Sequence, residues 1–244
     1  MRSQDLNLAD LNKSEPIYSH PDVFVLISQK GFCRFQFGIV TLLVALGTLH
    51  YVYAAFFGED FIMKLTQVFD VNRENSIPTV FAIFNLLLSS TLLFGVYLHR
   101  RTTHDRLAPY WLALSVIFLV LSVDEGASLH ERASGLKLFN TWVIYGALFS
   151  LAVFVAFIPF LLRIDRRTAA LFILAGAIFV GGAVGLEYFG GWKSRYEIDF
   201  FHQAERILEE AFELYGVALF NCTLFRRIIP RNVVLVLSGA TVES

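Results

Sequence analysis

Ten acidic and histidine residues lie in or beside long apolar runs of this 244-residue chain. They are Asp124, Glu125, His130, Glu131, Glu187, His202, Glu205, Glu209, Glu210 and Glu213. An ionisable side chain inside a bilayer is costly to bury and usually serves a function. The sequence therefore indicates a candidate site before it indicates a reaction.

Helical spacing places several of these residues on shared faces. Asp124, Ser128 and Glu131 are four and three residues apart, so an ideal helix puts them on one side. A second group forms a stripe about 16 Å long at the helical rise per residue. Its members are His202, Glu205, Glu209 and Glu213. Because lipid cannot solvate such a stripe, we expect it to face the inside of a helix bundle.

Partly buried carboxylates favour a bound cation. Two of them in a medium of low dielectric repel each other, and one takes up a proton unless a cation lies between them. Carboxylates and imidazoles on facing helices are typical of di-iron and di-manganese centres, and a smaller set with an open position is typical of catalytic zinc. We predict as metal ligands Asp124, Glu125, His130, His202, Glu209 and Glu213, with His50, Glu187 and Glu131 as further candidates. Glu210 and Glu205 are the predicted proton-transfer residues.

Other interpretations of the same residues stay open. The chain lacks the regular Glu-x-x-His repeat of ferritin-like sites, and His130 reaches the face of Asp124 only if the helix bends or ends near Gly126. His50 is also consistent with a hydrogen-bonded core histidine. The acids are alternatively a buried polar network that joins two helices, paired through Arg206.

The composition indicates an integral membrane protein. Hydrophobic residues make up 56% of the chain and aromatic residues 15%, which is more apolar than an ordinary soluble domain. Apolar runs of about 20 residues, the length that crosses the hydrocarbon core, predict six helices. They cover about 34–57, 78–98, 108–131, 139–162, 168–190 and 200–225. We therefore predict an all-α bundle of six transmembrane helices.

Two features of the predicted spans indicate how the helices pack. Asn85 and Ser89 are expected to join helices by hydrogen bonds, or alternatively to line the same cavity as the acids. Small residues let the fifth helix approach a neighbour closely. They are Gly176, Gly181, Gly182 and Gly185.

The distribution of basic residues orients the predicted bundle. Thirteen lysines and arginines fall on the side that holds both termini, and six fall on the other side. Basic residues near the ends of spans are retained in the cytoplasm. We therefore expect cytoplasmic termini and acids near the outer leaflet. The chain then divides into a cytoplasmic arm at 1–31, a transmembrane domain at 32–228 and a cytoplasmic tail at 229–244.

Several functional classes receive no support from the sequence. The formal net charge of −1 provides no basic surface for nucleic acid, and no nucleotide-binding or hydrolase motif stands in a suitable context. Cys33 and Cys222 lack metal-ligand spacing and are interpreted as small buried hydrophobic residues. The polar N-terminal segment contains no pattern of a removable signal peptide. The expected partners are membrane lipids.

Three segments resemble the signature stretches of a group of uncharacterised bacterial multi-spanning membrane proteins. They are Glu74-Asn-Ser-Ile-Pro-Thr79, Leu121-Ser-Val-Asp-Glu-Gly-Ala-Ser-Leu-His-Glu131 and Glu209-Glu-Ala-Phe-Glu-Leu-Tyr-Gly216. The resemblance covers most of the predicted bundle. It implies a multi-pass protein of the bacterial inner membrane and supports the choice of site residues, but it implies no activity. The general plan is also similar to membrane metallohydrolases of the alkaline ceramidase type, whose histidine-pair signature is absent from this sequence.

Three functions of different classes fit these residues. The first is a divalent-metal-dependent membrane enzyme, most simply a hydrolase, with zinc, iron or manganese as its metal and a lipid-like substrate. The second is a transporter in which the same acids bind protons or cations, although six ordinary spans give no sign of paired inverted halves. The third is a structural or assembly subunit whose polar cluster only fixes helix packing. We rank the enzyme first, because Asp, Glu and His without Lys suit a metal better than a proton wire.

Overall fold

The computed structural model describes two compact units of the chain. The described residues are 23–26, 28–57, 61–71, 73, 75–128, 141–186, 188, 199–228 and 234–237. The smaller unit contains strands β1 (Val23–Leu26) and β2 (Val234–Leu237), which pair antiparallel with Val23 opposite Leu237. The sequence indicated an arm and a tail in these regions, and it did not predict that they pair.

The larger unit contains helices and turns, with no strand among its described residues. In chain order the helices are α1 (Gln29–Phe57), α2 (Phe61–Thr66), α3 (Ile77–Thr102), α4 (Ala108–Ala127), α5 (Thr141–Leu161), α6 (Arg166–Val180) and α7 (Asp199–Arg227). A 3₁₀ turn (Gln67–Phe69) follows α2, and a π-helical turn (Gly181–Leu186) extends α6. The all-α prediction is confirmed for this unit.

Within the described part of the chain, five helices are long and apolar enough to cross a membrane. They are α1, α3, α4, α5 from Val143 onward, and α6 extended to Leu186. The first five predicted spans fall on these helices, although α1 begins at Gln29 rather than at residue 34. The sixth predicted span corresponds to α7. This helix is 29 residues long, but it carries too many charged residues to count among the apolar helices.

Capping residues set where two of the spans begin. The Ser76 hydroxyl accepts a hydrogen bond from the Thr79 amide at 3.3 Å, and Pro78 occupies the first turn of α3. The Asp165 carboxylate caps α6 in the same way, by accepting from the Thr168 amide at 3.1 Å. These caps satisfy amides that the first turn of a helix leaves without partners.

Helix α7 packs against α1, α3 and α6 in the larger unit. Its inward face is buried from Ala211 to Phe225. At its C-terminal end, Gln29 Nε2 donates to the Phe225 carbonyl oxygen at 3.2 Å, and Arg227 pairs with Asp165 at 3.1 Å. Since Gln29 begins α1 and Asp165 caps α6, both helices run antiparallel to α7.

Helices α3 and α4 form an antiparallel hairpin. An ion pair between Arg100 and Asp105 at 2.8 Å spans its turn. Further along, the Ser90 hydroxyl donates to the Ser115 carbonyl oxygen at 2.8 Å, and the Ser115 hydroxyl donates back to the Ser90 carbonyl oxygen at 2.9 Å. Small hydroxyl residues allow the two backbones to lie close together. The hairpin therefore brings the last turn of α4 beside the first half of α3.

Helix α5 is the least enclosed of the five apolar helices, with 11% of its spanning window buried. It is held mainly near its C-terminal end, where Phe160 makes edge-to-face contact with Trp111 and joins a cluster that includes Phe172. Large apolar side chains are exposed along the rest of the helix. They include Ile144, Leu148, Leu151 and Val155.

Candidate functional site

A cavity of about 80 Å³ lies between α3, α4, α7 and the end of α6. A volume of this size holds a few water molecules, at about 10 to 30 Å³ each. Its apolar lining is Ala82, Leu86, Leu121, Phe179, Ala183, Leu214 and Val217. The rest of its lining is one amide side chain, that of Asn85, and five carboxylates.

The five carboxylates are all residues that the sequence singled out. Asp124 and Glu125 come from the last turn of α4, and Glu209, Glu210 and Glu213 come from the first half of α7. All five are partly buried. More than 80 residues of sequence separate the two groups. The fold therefore brings two distant acidic segments to one cavity.

The cavity lies far from the basic end of the bundle. Glu213 precedes Arg226 by 13 residues, which is about 20 Å along α7 at the helical rise. Helix α4 begins just after the basic turn that follows α3. Asp124 lies at the other end of α4, three residues before its last residue, Ala127. The acids and the basic helix ends are thus on opposite sides of the larger unit.

Helix α4 ends immediately beyond its two site acids. Ser128 adopts a left-handed conformation with φ 47° and ψ 45°, and its amide donates to the Asp124 carbonyl oxygen. This conformation stops the helix, because a left-handed residue cannot continue a right-handed turn. The helix end required to bring His130 toward Asp124 is therefore present one residue after Gly126, while His130 itself lies outside the described residues.

Close contact between α6 and α7 sets the position of the α7 acids. A Cβ atom at Gly182 would lie 2.7 Å from the Glu209 carbonyl oxygen and 3.2 Å from Glu213 Cγ. A Cβ atom at Gly216 would lie 2.8 Å from the Phe179 amide nitrogen. Only glycine permits backbones to approach this closely. The two glycines therefore fix how far α7 and its carboxylates stand from the π-helical turn.

Four polar residues form a buried layer that reaches the cavity at Asn85. Asn85 Oδ1 accepts from Gln36 Nε2 at 2.9 Å and from Asn221 Nδ2 at 2.8 Å. Asn221 Nδ2 also donates to the Asn85 carbonyl oxygen at 3.2 Å, and the Ser89 hydroxyl donates to Asn221 Oδ1 at 2.7 Å. The layer joins α1, α3 and α7. Periodicity did not reveal Asn221, a polar residue in an otherwise apolar face of α7.

The other predicted residues are placed as follows. Glu205 lies on α7 but is not among the residues that line the cavity. His50 is buried, and its Nδ1 is 2.8 Å from the Thr66 hydroxyl oxygen, as for a hydrogen-bonded core histidine. The side chain of His202 and the residues His130, Glu131 and Glu187 lie outside the described part of the structure. Among the described residues, no three His, Cys, Asp or Glu side chains are placed to hold one metal ion.

A polar pair near the cavity was not predicted. The Tyr51 hydroxyl of α1 donates to Asp70 Oδ1 at 2.5 Å, just after the 3₁₀ turn. Arg206 and Glu210 lie close enough for their charges to act on Tyr51. Because Glu210 also lines the cavity, this polar pair extends the charged region from the cavity toward α1. Asp70 is half-buried just after the 3₁₀ turn, and its position outside a long helix gave no periodic signal.

At the basic end, the environment of Asp165 holds the pKa of its carboxyl below the ordinary value of 3.8. The main cause is the hydrogen bond from the Thr168 amide, which favours the charged form. The Thr168 hydroxyl and the positive charge of Arg227 act in the same direction. The ionised form of Asp165 thus stabilises the junction of α6 with α7.

Comparison with known proteins identifies a family whose function is unknown. A family model described as a domain of unknown function, DUF8692, matches residues 36–228, which include all the cavity residues. No curated protein and no solved structure matches the chain. The match covers most of the sequence, and the chain belongs to the DUF8692 family.

Proposed function

We propose that the protein is a membrane-embedded hydrolase that binds a divalent cation among the carboxylates of the cavity. The observation that carries this proposal is the convergence of Asp124, Glu125, Glu209, Glu210 and Glu213 on one small space. Carboxylates gathered at partial burial are oxygen ligands suited to a divalent cation, and manganese, iron or zinc would suit the chemistry.

Packing supports a sixth span and a defined orientation. At 29 residues α7 is about 43 Å long, which exceeds the hydrocarbon thickness of about 30 Å. Its position against α1, α3 and α6 removes much of its polar surface from lipid. The gathering of basic helix ends favours cytoplasmic termini and a cavity near the outer leaflet. The location we propose is the bacterial inner membrane, with a lipid or membrane-proximal substrate.

Each of the cavity carboxylates has a proposed role in hydrolysis. A bound cation would lower the pKa of water and polarise the scissile group. Glu210 accepts a proton as the water oxygen forms a bond to the acyl or phosphoryl centre, and it returns that proton to the leaving oxygen as the old bond breaks. Glu210 is preferred to Glu205 because only Glu210 lines the cavity. Asp124, Glu125, Glu209 and Glu213 are the proposed cation contacts, and because no three described side chains are placed to hold one ion, they would have to turn toward it on binding.

Elemental analysis tests the cation site. The detergent-purified protein is compared with an Asp124→Ala/Glu209→Ala variant and with Asp105→Asn, a control that removes an acid at the basic end. We expect near-stoichiometric zinc, iron or manganese in the wild type and the control, and loss of the metal from a folded double variant. Absence of metal from all three, even after reloading, would reject the metal-dependent enzyme and leave proton transport or a structural network.

Cation-coupled transport is a second candidate, favoured by the π-helical turn Gly181–Leu186. Ala183 of this turn lines the cavity. Irregular helical backbone at a cavity within the membrane is typical of transporter binding sites. Reconstituted vesicles that accumulate radioactive Mn²⁺ or protons, with loss of flux in the double variant, would favour transport. Metal binding without flux would favour the hydrolase.

A further inference from the structure

We propose that Asn85 binds substrate in the cavity, by donating a hydrogen bond from Nδ2 to a carboxyl or phosphoryl oxygen beside the cation. This proposal rests on the proposed function and names the substrate class, an ester with such an oxygen. Asn85 lines the cavity together with the five carboxylates, and its side chain is 3% exposed.

The orientation of the Asn85 amide follows from a chain of hydrogen bonds. A backbone carbonyl can only accept, and an amide oxygen turned toward it would be repelled, so Asn221 presents Nδ2 to the Asn85 carbonyl oxygen, which also accepts from the Ser89 hydroxyl at 3.0 Å. The same Nδ2 donates to the Asn85 side chain, which must therefore present Oδ1. Gln36 Nε2 donates to that oxygen as well. Asn85 Nδ2 is left on the other side of the amide.

Asn85 Nδ2 is buried and has no hydrogen-bond partner among the described residues. A buried N–H group without an acceptor destabilises a fold, so such groups are rare unless a water or a ligand satisfies them. The neighbouring network explains the orientation of Asn85 but does not use this atom. Gln36 Oε1 of the same layer is likewise buried without a partner among the described residues. Because Asn85 lines the cavity, the acceptor that we propose for Nδ2 is an occupant of the cavity.

The chemistry of Nδ2 restricts that occupant. An N–H group carries partial positive charge, so it repels a cation and an ammonium group. A water molecule bound to a cation directs its hydrogens outward and is a poor acceptor. An oxygen of a carboxyl or phosphoryl group accepts well, and its negative charge is neutralised by a cation held among the carboxylates.

The amide layer also makes Asn85 a suitable donor for a transition state. Its side chain is held by Gln36 and Asn221, and Asn221 is held by Ser89. Because Asn221 and Ser89 are each 0% exposed, water does not compete for this layer. A donor fixed in advance and kept from water stabilises negative charge that develops on a substrate oxygen.

The test measures oxyanion binding to the Mn²⁺-loaded protein in a phosphate-free detergent. Bound Mn²⁺ broadens the ³¹P line of inorganic phosphate or the ¹³C carboxyl line of labelled acetate when either binds beside it. The variants are Asn85→Asp, which keeps an acceptor oxygen for Gln36 and Asn221, and Asn85→Ala, which adds no charge. Ser115→Ala removes a buried polar group from the α3–α4 interface as the control.

We expect phosphate, acetate or both to bind the wild type and Ser115→Ala, with the preferred anion identifying phosphoric or carboxylic esters. Both Asn85 variants should bind it about 10- to 100-fold more weakly, the loss of one hydrogen bond to a charged group. Mn²⁺ affinity should change less than threefold in Asn85→Ala. Equal anion binding by either folded Asn85 variant, or binding of neither anion to the Mn²⁺-loaded wild type, would overturn the role of Asn85 alone. Failure of the wild type to bind Mn²⁺ would overturn the proposed function together with it.

Discussion

At the scale of single residues, the charges of the larger unit act in two settings. The five carboxylates of the cavity line one space of about 80 Å³. Asp165 is exposed at the basic end, where its partners are an amide, a hydroxyl and a guanidinium group. The first setting is the site that we propose for a cation, and the second joins α6 to α7.

The pH dependence of stability can be predicted for Asp165. Because its folded pKa lies below 3.8, its stabilising effect is present above that value and is lost as the pH falls through the folded pKa. Asp165→Asn keeps a side chain that caps helices well but does not titrate. We expect the variant to melt below the wild type near neutral pH, and the difference to disappear at the lowest pH. Thermal unfolding followed by tryptophan fluorescence from pH 3 to 7 measures this.

Salt provides the control for that series. High salt screens the exposed Arg227 charge but has less effect on the hydrogen bond from the Thr168 amide, so part of the difference should remain. A difference in melting temperature that stays constant over the whole pH range would show that Asp165 does not act through its charge.

The shared faces of the acids were predictable from the sequence, and Asn85 was expected to join helices or to line the same cavity, but the orientation of its amide was not predictable. Glu209 and Glu213 are four residues apart in an apolar context, so their shared face and their cost in lipid follow from periodicity. The interpretation of Asn85 depends on which side of its amide is already bonded, and that depends on Asn221. A hydrogen-bond partner 136 residues away leaves no mark in local spacing.

At the scale of helices, close packing between α6 and α7 depends on particular glycines. The sequence indicated Gly176, Gly181, Gly182 and Gly185 as small residues that let this helix approach a neighbour, without identifying the neighbour. Gly182 lies in close contact with α7, whereas no described atom lies within 4 Å of a Cβ added at Gly176 or Gly185. Gly216 of α7 makes an equally close contact and was not predicted. The sequence shows which residues of a helix are small, but not which of them face a neighbouring helix.

A pair of glycine substitutions tests this packing. In Gly216→Ala the new Cβ would meet Phe179 and Ala175 backbone atoms at 2.8 and 3.0 Å, so α7 must move away from α6. We expect a loss of about 1–3 kcal/mol in the free energy of unfolding. Unfolding in a titration with SDS, followed by circular dichroism, measures the change.

Gly176→Ala is the matched control on the facing helix. Its Cβ meets no described atom within 4 Å, and alanine favours a helix over glycine by about 1 kcal/mol. The control should therefore unfold at the same or a higher SDS fraction than the wild type. If the Gly216→Ala protein were as stable as this control, α7 would be able to move away from α6 at little cost in free energy.

At the scale of the whole molecule, the proposed orientation makes opposite predictions for two exposed positions. Asn75 precedes α3 on the acidic side, and Thr103 follows α3 at the basic end. In a background with Cys33 and Cys222 replaced by alanine, each is changed to cysteine. We expect an impermeant maleimide to label Asn75→Cys in intact cells and Thr103→Cys only after permeabilisation. Labelling in the reverse order would place the termini outside.

At this scale the long apolar helices were predictable, because composition and run length can be read directly from the sequence. Five predicted spans fall on described helices that are long and apolar enough to cross a membrane. Hydropathy alone did not place α7 among these helices, because its first half carries several charged residues. The pairing of β1 with β2 also escaped prediction, since it joins segments from opposite ends of the chain.

The sparse packing of α5 has a consequence for sequence drift within the family. Most of its side chains, such as Leu148 and Val155, are exposed and have few protein atoms to fit. Selection at these positions acts on solubility in lipid, which many apolar side chains satisfy equally. Among relatives, α5 should keep its hydrophobic character while its residue identities change freely. On α7, by contrast, Ala218 and Asn221 are fully buried, and their identities should change slowly.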